Sequence, residues 1–162
     1  KKIKEGWINV DRIKLHGVDV VHDLNDIPYP FDDSSVDYIL MEHVLEHLDD
    51  IIAVMEELHR ILKPNGILEI YVPYYKSKSA FTDPTHKHFF TEHSMDYFVN
   101  DTEKIASGAN KFNFYTKARF KIIKFEKYRG GFPFYHIKKY FHIDIKIPFM
   151  ADTLHWVMRA VK

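Results

Sequence analysis

Cysteine is absent from the 162 residues. That removes disulfide frameworks, thiolate metal sites and cysteine nucleophiles at once. No uninterrupted apolar stretch approaches the ~20 residues that a membrane-spanning helix needs. The start, Lys1-Lys2-Ile3-Lys4-Glu5-Gly6, has no hydrophobic segment behind it, so no signal peptide is expected. Internal repeats and low-complexity stretches are missing too. Net charge also vanishes, because 23 basic and 23 acidic side chains cancel. What remains is ordinary: 46% apolar and 28% charged residues, which excludes a disordered chain. The length fits a single domain, 1–162, able to bury a core without staples. A cytoplasmic enzyme or binding domain is the expectation.

The cancelled charge is unevenly spread. Residues 1–50 have a balance of −7, residues 51–110 of −2, and residues 111–162 of +9. An acidic end suits a cationic ligand, and a basic end suits phosphate or another acidic surface. The plainer reading is that the two ends attract each other across the fold, or are solvated faces.

Trp7 to Val10 and Val18 to His22 are short apolar runs, each closed by an acid, Asp11 or Asp23. Both read as buried strands. Ile27 to Ser35, dense in proline, aspartate and serine, reads as a loop. Val36 to Met41 is a third strand. Ile51, Val54, Met55, Leu58 and Leu62 then recur at helical spacing, behind Asp49 or Asp50 as a cap. On that helix Glu56, Glu57, His59 and Arg60 are expected to face water. Pro64-Asn65-Gly66 stops it, and Ile67 to Val72 is a fourth strand. These strands are apolar on both faces, which argues a parallel sheet covered by helices. In such sheets ligands bind at the carboxyl ends of the strands.

Beyond Val72 a long loop runs to His93, with Thr91 as cap of a short helix over Glu92 to Phe98. Phe120 to Tyr128, Ile143 to Ile147 and Leu154 to Val161 read as strands, giving an antiparallel edge near the C-terminus.

Four pieces carry a resemblance: Asp23-Leu24; Ile27-Pro28-Tyr29-Pro30-Phe31-Asp32-Asp33-Ser34-Ser35-Val36-Asp37; Val44-Leu45-Glu46-His47-Leu48; and Leu62-Lys63-Pro64-Asn65-Gly66. In order and spacing they resemble the class I S-adenosylmethionine-dependent methyltransferases, and more narrowly the methyltransferase type 11 group. The resemblance covers roughly residues 6–75. It implies an α/β, Rossmann-like, mostly parallel sheet with helices on both faces and an antiparallel C-terminal edge. Residues 1–75 would be the cofactor-binding half, and residues 76–162 the acceptor side. The implied cofactor is S-adenosylmethionine. Asp11 takes the place of the acid that binds the ribose hydroxyls. Asp23 and Leu24 take the place that meets adenine. Met41, Glu42 and His43 line the methionine end. The residue types suit this, since carboxylates accept hydroxyl hydrogen bonds and an acidic cleft favours a sulfonium.

The sequence departs from the family in one respect. The family's first strand and glycine-rich turn have no counterpart here, and Lys1 to Gly6 resembles the stretch just after them. In the family that strand lies between the strands ending at Asp11 and near Met41. Buried ladder groups are nearly always paired, so a late beginning is the favoured explanation. A non-catalytic binding or scaffold domain that has lost the cofactor turn is the alternative function.

His43-Val44-Leu45-Glu46-His47 spells H-x-x-E-H. On a helix the two histidines could hold zinc, with Glu46 as base. Here the motif directly follows a strand, so Glu46 and His47 are expected to brace the cofactor loop. The segment also resembles quinone-biosynthesis methyltransferases that hold a divalent metal with acids and a histidine; Glu42, Glu46 and His47 are the matching residues, and no metal is assigned. Asp83-Pro84-Thr85-His86-Lys87-His88 lies in the loop that overhangs the acceptor in this fold. His86 is the candidate general base, because imidazole exchanges protons near neutrality. Against that, Asp83 and Thr85 could simply make a turn. Phe132 to Phe149 mixes aromatics with lysines, which suits a lid, a homodimer contact, a membrane surface or plain core. No nucleic-acid module is present, so nucleic acid is not the expected partner. The resemblance implies a methyl acceptor, small or macromolecular.

Overall fold

The structure is a computed structural model that describes residues 5–99, 114–128 and 152–162. The expected strand over Ile143 to Ile147 and the aromatic, lysine-rich segment from Phe132 to Phe149 lie outside the described residues. Two short strands, β1 (Val10–Asp11) and β2 (Val20–Val21), pair in parallel. The main sheet has four strands in the order β3 (Val36–Glu42), β4 (Leu62–Pro73), β6 (Thr153–Ala160) and β5 (Phe120–Tyr128). β3 and β4 are parallel, and β6 runs antiparallel to both of its neighbours. The sheet of the described residues is therefore mixed rather than mostly parallel. The expected antiparallel edge is there, with β5 outermost. The β1–β2 pair and the four-stranded sheet form separate ladders.

Helix α1 (Ile51–Ile61) joins β3 to β4. Asp50 caps it, its Oδ1 accepting the Ala53 amide at 3.0 Å, which satisfies one of the amides a helix start leaves open. Val54, Met55, Leu58 and Ile61 are buried and pack on Leu68, Ile70 and Val72 of β4 and on Leu154, Trp156 and Met158 of β6. Each such side chain contributes about 1.5–3 kcal/mol by leaving water. The helix ends one residue before Leu62, which opens β4 instead of closing the apolar stripe. Gly66 is needed in the turn that follows: a Cβ there would stand 2.9 Å from the Lys63 carbonyl oxygen and 3.0 Å from Leu62 Cδ2.

Of the four residues expected in water, Glu56 is exposed as expected, and the fold holds the other three. Glu57 is 5% exposed. Its carboxylate accepts the Tyr29 amide at 2.6 Å and Arg60 Nε and Nη2 at 2.9 and 2.6 Å. The Arg60 hydrogen bonds hold the Glu57 carboxyl below its ordinary range against the opposing effect of burial. Arg60 also donates to the Tyr29 and Phe31 carbonyls and pairs with Asp33. One turn of α1 thus clasps the proline-rich loop. His59 meets Phe120 edge-on and bonds the Val161 carbonyl, and Glu56 Oε1 accepts from Thr116 and the Lys117 amide. Helical periodicity misassigns Glu57, His59 and Arg60 because their partners arrive from distant parts of the chain.

The strands before α1 are less buried than their apolar runs imply. Ile8 is 64% and Val21 51% exposed. A two-strand ladder of two residues each has little to pack against. Beyond β4 the chain makes a four-residue helix, α2 (Ser79–Thr82), and a single 3-10 turn at Asp96–Phe98 in place of the longer helix expected from Glu92. Met95 and Phe98 are buried there, as the sequence pattern predicts. Among the described residues no helix is long and apolar enough to cross a membrane.

Candidate functional site

Asp11 closes β1, and Asp23 lies two residues past the end of β2. Because β1 and β2 are parallel neighbours, both acids come to the same end of the pair. Each makes a local turn: Asp11 Oδ1 accepts the Ile13 amide at 2.9 Å, and Asp23 Oδ1 accepts the Asn25 amide at 3.0 Å. Leu24 packs against the core, and its carbonyl accepts the Tyr29 hydroxyl at 2.9 Å. Burial pushes that phenol well above its usual range. Asn25 Oδ1 accepts the Asp49 amide at 2.9 Å, tying the end of the β2 loop to the start of the helical segment.

At the end of β3 the chain turns sharply. Met41 is buried in the core and Glu42 is exposed. His43 adopts φ +55°, a left-handed conformation uncommon outside glycine and a frequent mark of functional turns. Its amide bonds the Tyr71 carbonyl, which pins the turn to β4. Leu45–His47 then form one 3-10 turn. The H-x-x-E-H segment is therefore not a helix face.

That turn floors an open cleft of about 820 Å³ at the carboxyl ends of β3 and β4. His43, Glu46 and His47 line one side; Pro73 marks the end of β4; Asp83 and His86 come from the overhanging loop. Backbone bonds hold the two sides together, since the Lys87 and His88 amides both donate to the Glu46 carbonyl. Glu46 is fully buried. His43 Nδ1 lies 3.2 Å from its Oε1, and His86 Nε2 lies 4.0 Å from the same oxygen. Its other oxygen, Oε2, is buried with no hydrogen-bond partner.

The loop residues are fixed in turn. Asp83 Oδ1 accepts both the Thr85 amide at 2.8 Å and the Thr85 hydroxyl at 2.6 Å, the turn that those residue types predict. These bonds, the hydroxyl first, lower the Asp83 carboxyl from its ordinary value. Thr85 then presents its carbonyl and its hydroxyl oxygen to His47 Nδ1, at 3.3 and 3.0 Å. His86 Nδ1 bonds the Ala80 carbonyl at 2.8 Å, and the rings of His47 and His86 meet edge-on with centroids 4.8 Å apart. Among the described residues, Glu46, His47 and His86 form a group of histidine and acidic side chains whose ligand atoms lie within 4.8 Å of one another. Glu42, which the resemblance to the quinone-biosynthesis methyltransferases matches beside Glu46 and His47, is outside it. The sequence marks His86 only as a lone candidate base; its proximity to Glu46, forty residues earlier, has no local signal.

Residues 2–70 match the family model described as a methyltransferase domain, type 11. Demethylmenaquinone methyltransferase of Listeria monocytogenes is 24% identical over 145 residues, covering 80% of this chain and 59% of the relative. The chain thus spans about three-fifths of the length of that relative. Among solved structures, one from the complex of the Haloferax volcanii Trm112 methyltransferase activator with a methyltransferase aligns with TM-score 0.54 at 16% identity, over 93% of this chain and 65% of that one. The Burkholderia thailandensis 1,6-didemethyltoxoflavin-N1-methyltransferase, solved with S-adenosylhomocysteine, aligns with TM-score 0.53 at 12% identity, over 94% and 60%. At these identities the structural likeness is one of fold.

Proposed function

We propose that this chain, which carries a methyltransferase type 11 domain over residues 2–70 and the Rossmann-like class I methyltransferase fold, transfers a methyl group from S-adenosylmethionine to an acceptor held in the cleft beside Glu46. The observation that supports this most is positional. Both candidate nucleoside acids, the strained turn at His43 and the cleft follow the carboxyl ends of parallel strands, where α/β sheets of this kind bind ligands. Asp11 and Asp23 suit the ribose and adenine groups, because each carboxylate is held by its own turn. Glu42 and His43 suit the methionine end. When bound, the cofactor supplies an electrophilic methyl on a sulfonium.

The residues of the chain orient the acceptor and take its proton. Bound S-adenosylmethionine would supply the methyl group, and the residues beside it would hold the acceptor atom in line and receive the proton that atom gives up. Positioning of this kind can supply several kcal/mol of the barrier. The group placed to activate the acceptor is Glu46 with His47 and His86, rather than His86 alone, because His86 Nε2 faces Glu46. In this reading residues 1–162 act as one domain in the cytoplasm, with a cofactor half over 1–75, an acceptor side over 76–162, and helices on both faces of the complete sheet.

A thermal shift with S-adenosylhomocysteine tests this. A binder gains about 2.7 kcal/mol at a hundred times its dissociation constant. Asp11→Ala and Asp23→Ala should each reduce that gain. No shift at millimolar ligand would support the scaffold reading instead.

A further inference from the structure

We infer that the cleft selects a methyl acceptor bearing a primary ammonium group, docked against Glu46. That the group belongs to the methyl acceptor rests on the transferase reading above; the preference for a cation stands on the side chains alone. It emerges when each side-chain proton on the cleft wall is followed to its partner.

The hydroxyls on the wall spend their hydrogens elsewhere. Thr82 Oγ1 donates to the Lys78 carbonyl at 2.8 Å. Ser77 Oγ donates to the Tyr74 carbonyl at 2.7 Å, so in the 2.8 Å contact of Ser77 with Ser79 the hydrogen comes from Ser79. The imidazoles follow the same rule. Thr85 gives its hydroxyl proton to Asp83, so toward His47 Nδ1 its hydroxyl and carbonyl oxygens only accept. His47 Nδ1 therefore carries the proton, and Nε2 of the neutral ring keeps a lone pair. His86 Nδ1 donates to the Ala80 carbonyl at 2.8 Å, which leaves a lone pair on its Nε2 too. Glu46 and Asp83 as carboxylates only accept, and Pro73 and Pro84 have no amide hydrogen. His43 turns Nδ1 toward Glu46 Oε1 at 3.2 Å. The wall thus offers acceptors from three separate segments: the turn after β3, α2 and the loop that follows it.

Charge narrows the choice. Among the described residues that line the cleft, two are acidic and none is lysine or arginine. Glu46 is fully buried, and its Oε2 has no hydrogen-bond partner. A buried carboxylate oxygen without a donor is costly, and a group that brings both an N–H and a positive charge removes that cost. A hydroxyl brings a donor without the charge, and a carboxylate or phosphate meets only acceptors and like charge. An ammonium has three donors and no acceptor. With tetrahedral N–H bonds reaching acceptors at about 2.8 Å, it spaces them roughly 4.6 Å apart. The ligand atoms of Glu46, His47 and His86 lie within 4.8 Å of one another, which is the spread one such nitrogen spans.

The test titrates the chain with three probes of similar shape, benzylammonium, benzyl alcohol and benzoate, with a chelator present throughout. Histidine side-chain NMR reports the binding at His47 and His86. Benzylammonium should bind at least tenfold more tightly than either other probe. Glu46→Gln should cut its advantage over benzoate at least tenfold, and the exposed Asp83→Asn at least twofold. Circular dichroism melts confirm folding; if Glu46→Gln does not fold, Asp83→Asn decides. Benzoate or benzyl alcohol binding as well as the ammonium overturns the inference. So does no benzylammonium binding at tens of millimolar, or an advantage unchanged in the folded variants. Thermal shifts with S-adenosylhomocysteine, read without amine, report on the transferase reading alone: a shift without the ammonium preference sinks only this inference. The preference without a shift leaves a cation site and removes its part in methyl transfer.

Discussion

The two faces of the four-stranded sheet are built from opposite materials. Toward α1 stand Met41, Leu68, Ile70, Val72, Leu154, Trp156, Met158 and Phe120, every one buried. The other face carries Tyr38, Glu69, Tyr71, His155, Glu126 and Tyr128. There His155 Nε2 meets Glu69 Oε1 at 2.7 Å, Tyr71 donates to the same oxygen at 2.8 Å, and the Tyr71 and His155 rings stack at 4.1 Å. Burial first, then the bond to Glu69, pushes the Tyr71 phenol upward. One face is thus held by apolar area and the other by directed polar contacts and stacked rings. Because burying area is non-directional while hydrogen bonds trade against water, the first face should dominate stability.

The largest expected loss falls on the apolar face. Trp156→Ala leaves a cavity under α1 and should cost about 3–5 kcal/mol in urea unfolding. A loss below 1 kcal/mol would reverse the ranking of the faces. Next comes the clasp at the edge of the helix. Arg60→Ala strips the buried Glu57 of its cation and should cost about 3 kcal/mol. Adding Glu57→Gln should restore part of it, and a double-mutant cycle would read the coupling. On the polar face, His155→Ala removes one bond and one stack, for about 1–2 kcal/mol.

The smallest effect is a pH dependence. Glu92 is held at about 2, chiefly by its bond to Lys127. Its folded value is depressed below the ordinary 4.5. The stabilisation is therefore present above pH 4.5 and is lost as pH falls toward 2. The pair is partly exposed, so the loss should be about 0.5 kcal/mol after screening. Glu92→Gln should flatten that part of the acid limb; an unchanged slope would assign it to other carboxylates.

The asymmetry between the faces also bears on what the sequence predicts. Alternation predicts β5, with Phe125 on the side of Phe120 and Ile122, and Leu154 to Val161 also reads as a strand. Only the structure shows the means: an irregularity between Ile122 and Lys124 lets residues 120, 122 and 125 pair with 160, 158 and 156. The expectation of strands apolar on both faces missed the second face, because single Glu and His residues inside apolar runs do not announce that they meet each other.

Local chemistry determined much of this protein. Asp50 capping, the apolar stripe of α1 and the Asp83–Thr85 turn all follow from neighbours within a few positions, where backbone geometry limits the choices. The family resemblance over the first 75 residues likewise needed only order and spacing. Tertiary structure alone decided that Glu57 is buried and that His86 comes to Glu46 and His47. Those outcomes depend on contacts between segments far apart in the chain, and no sequence period encodes such a meeting.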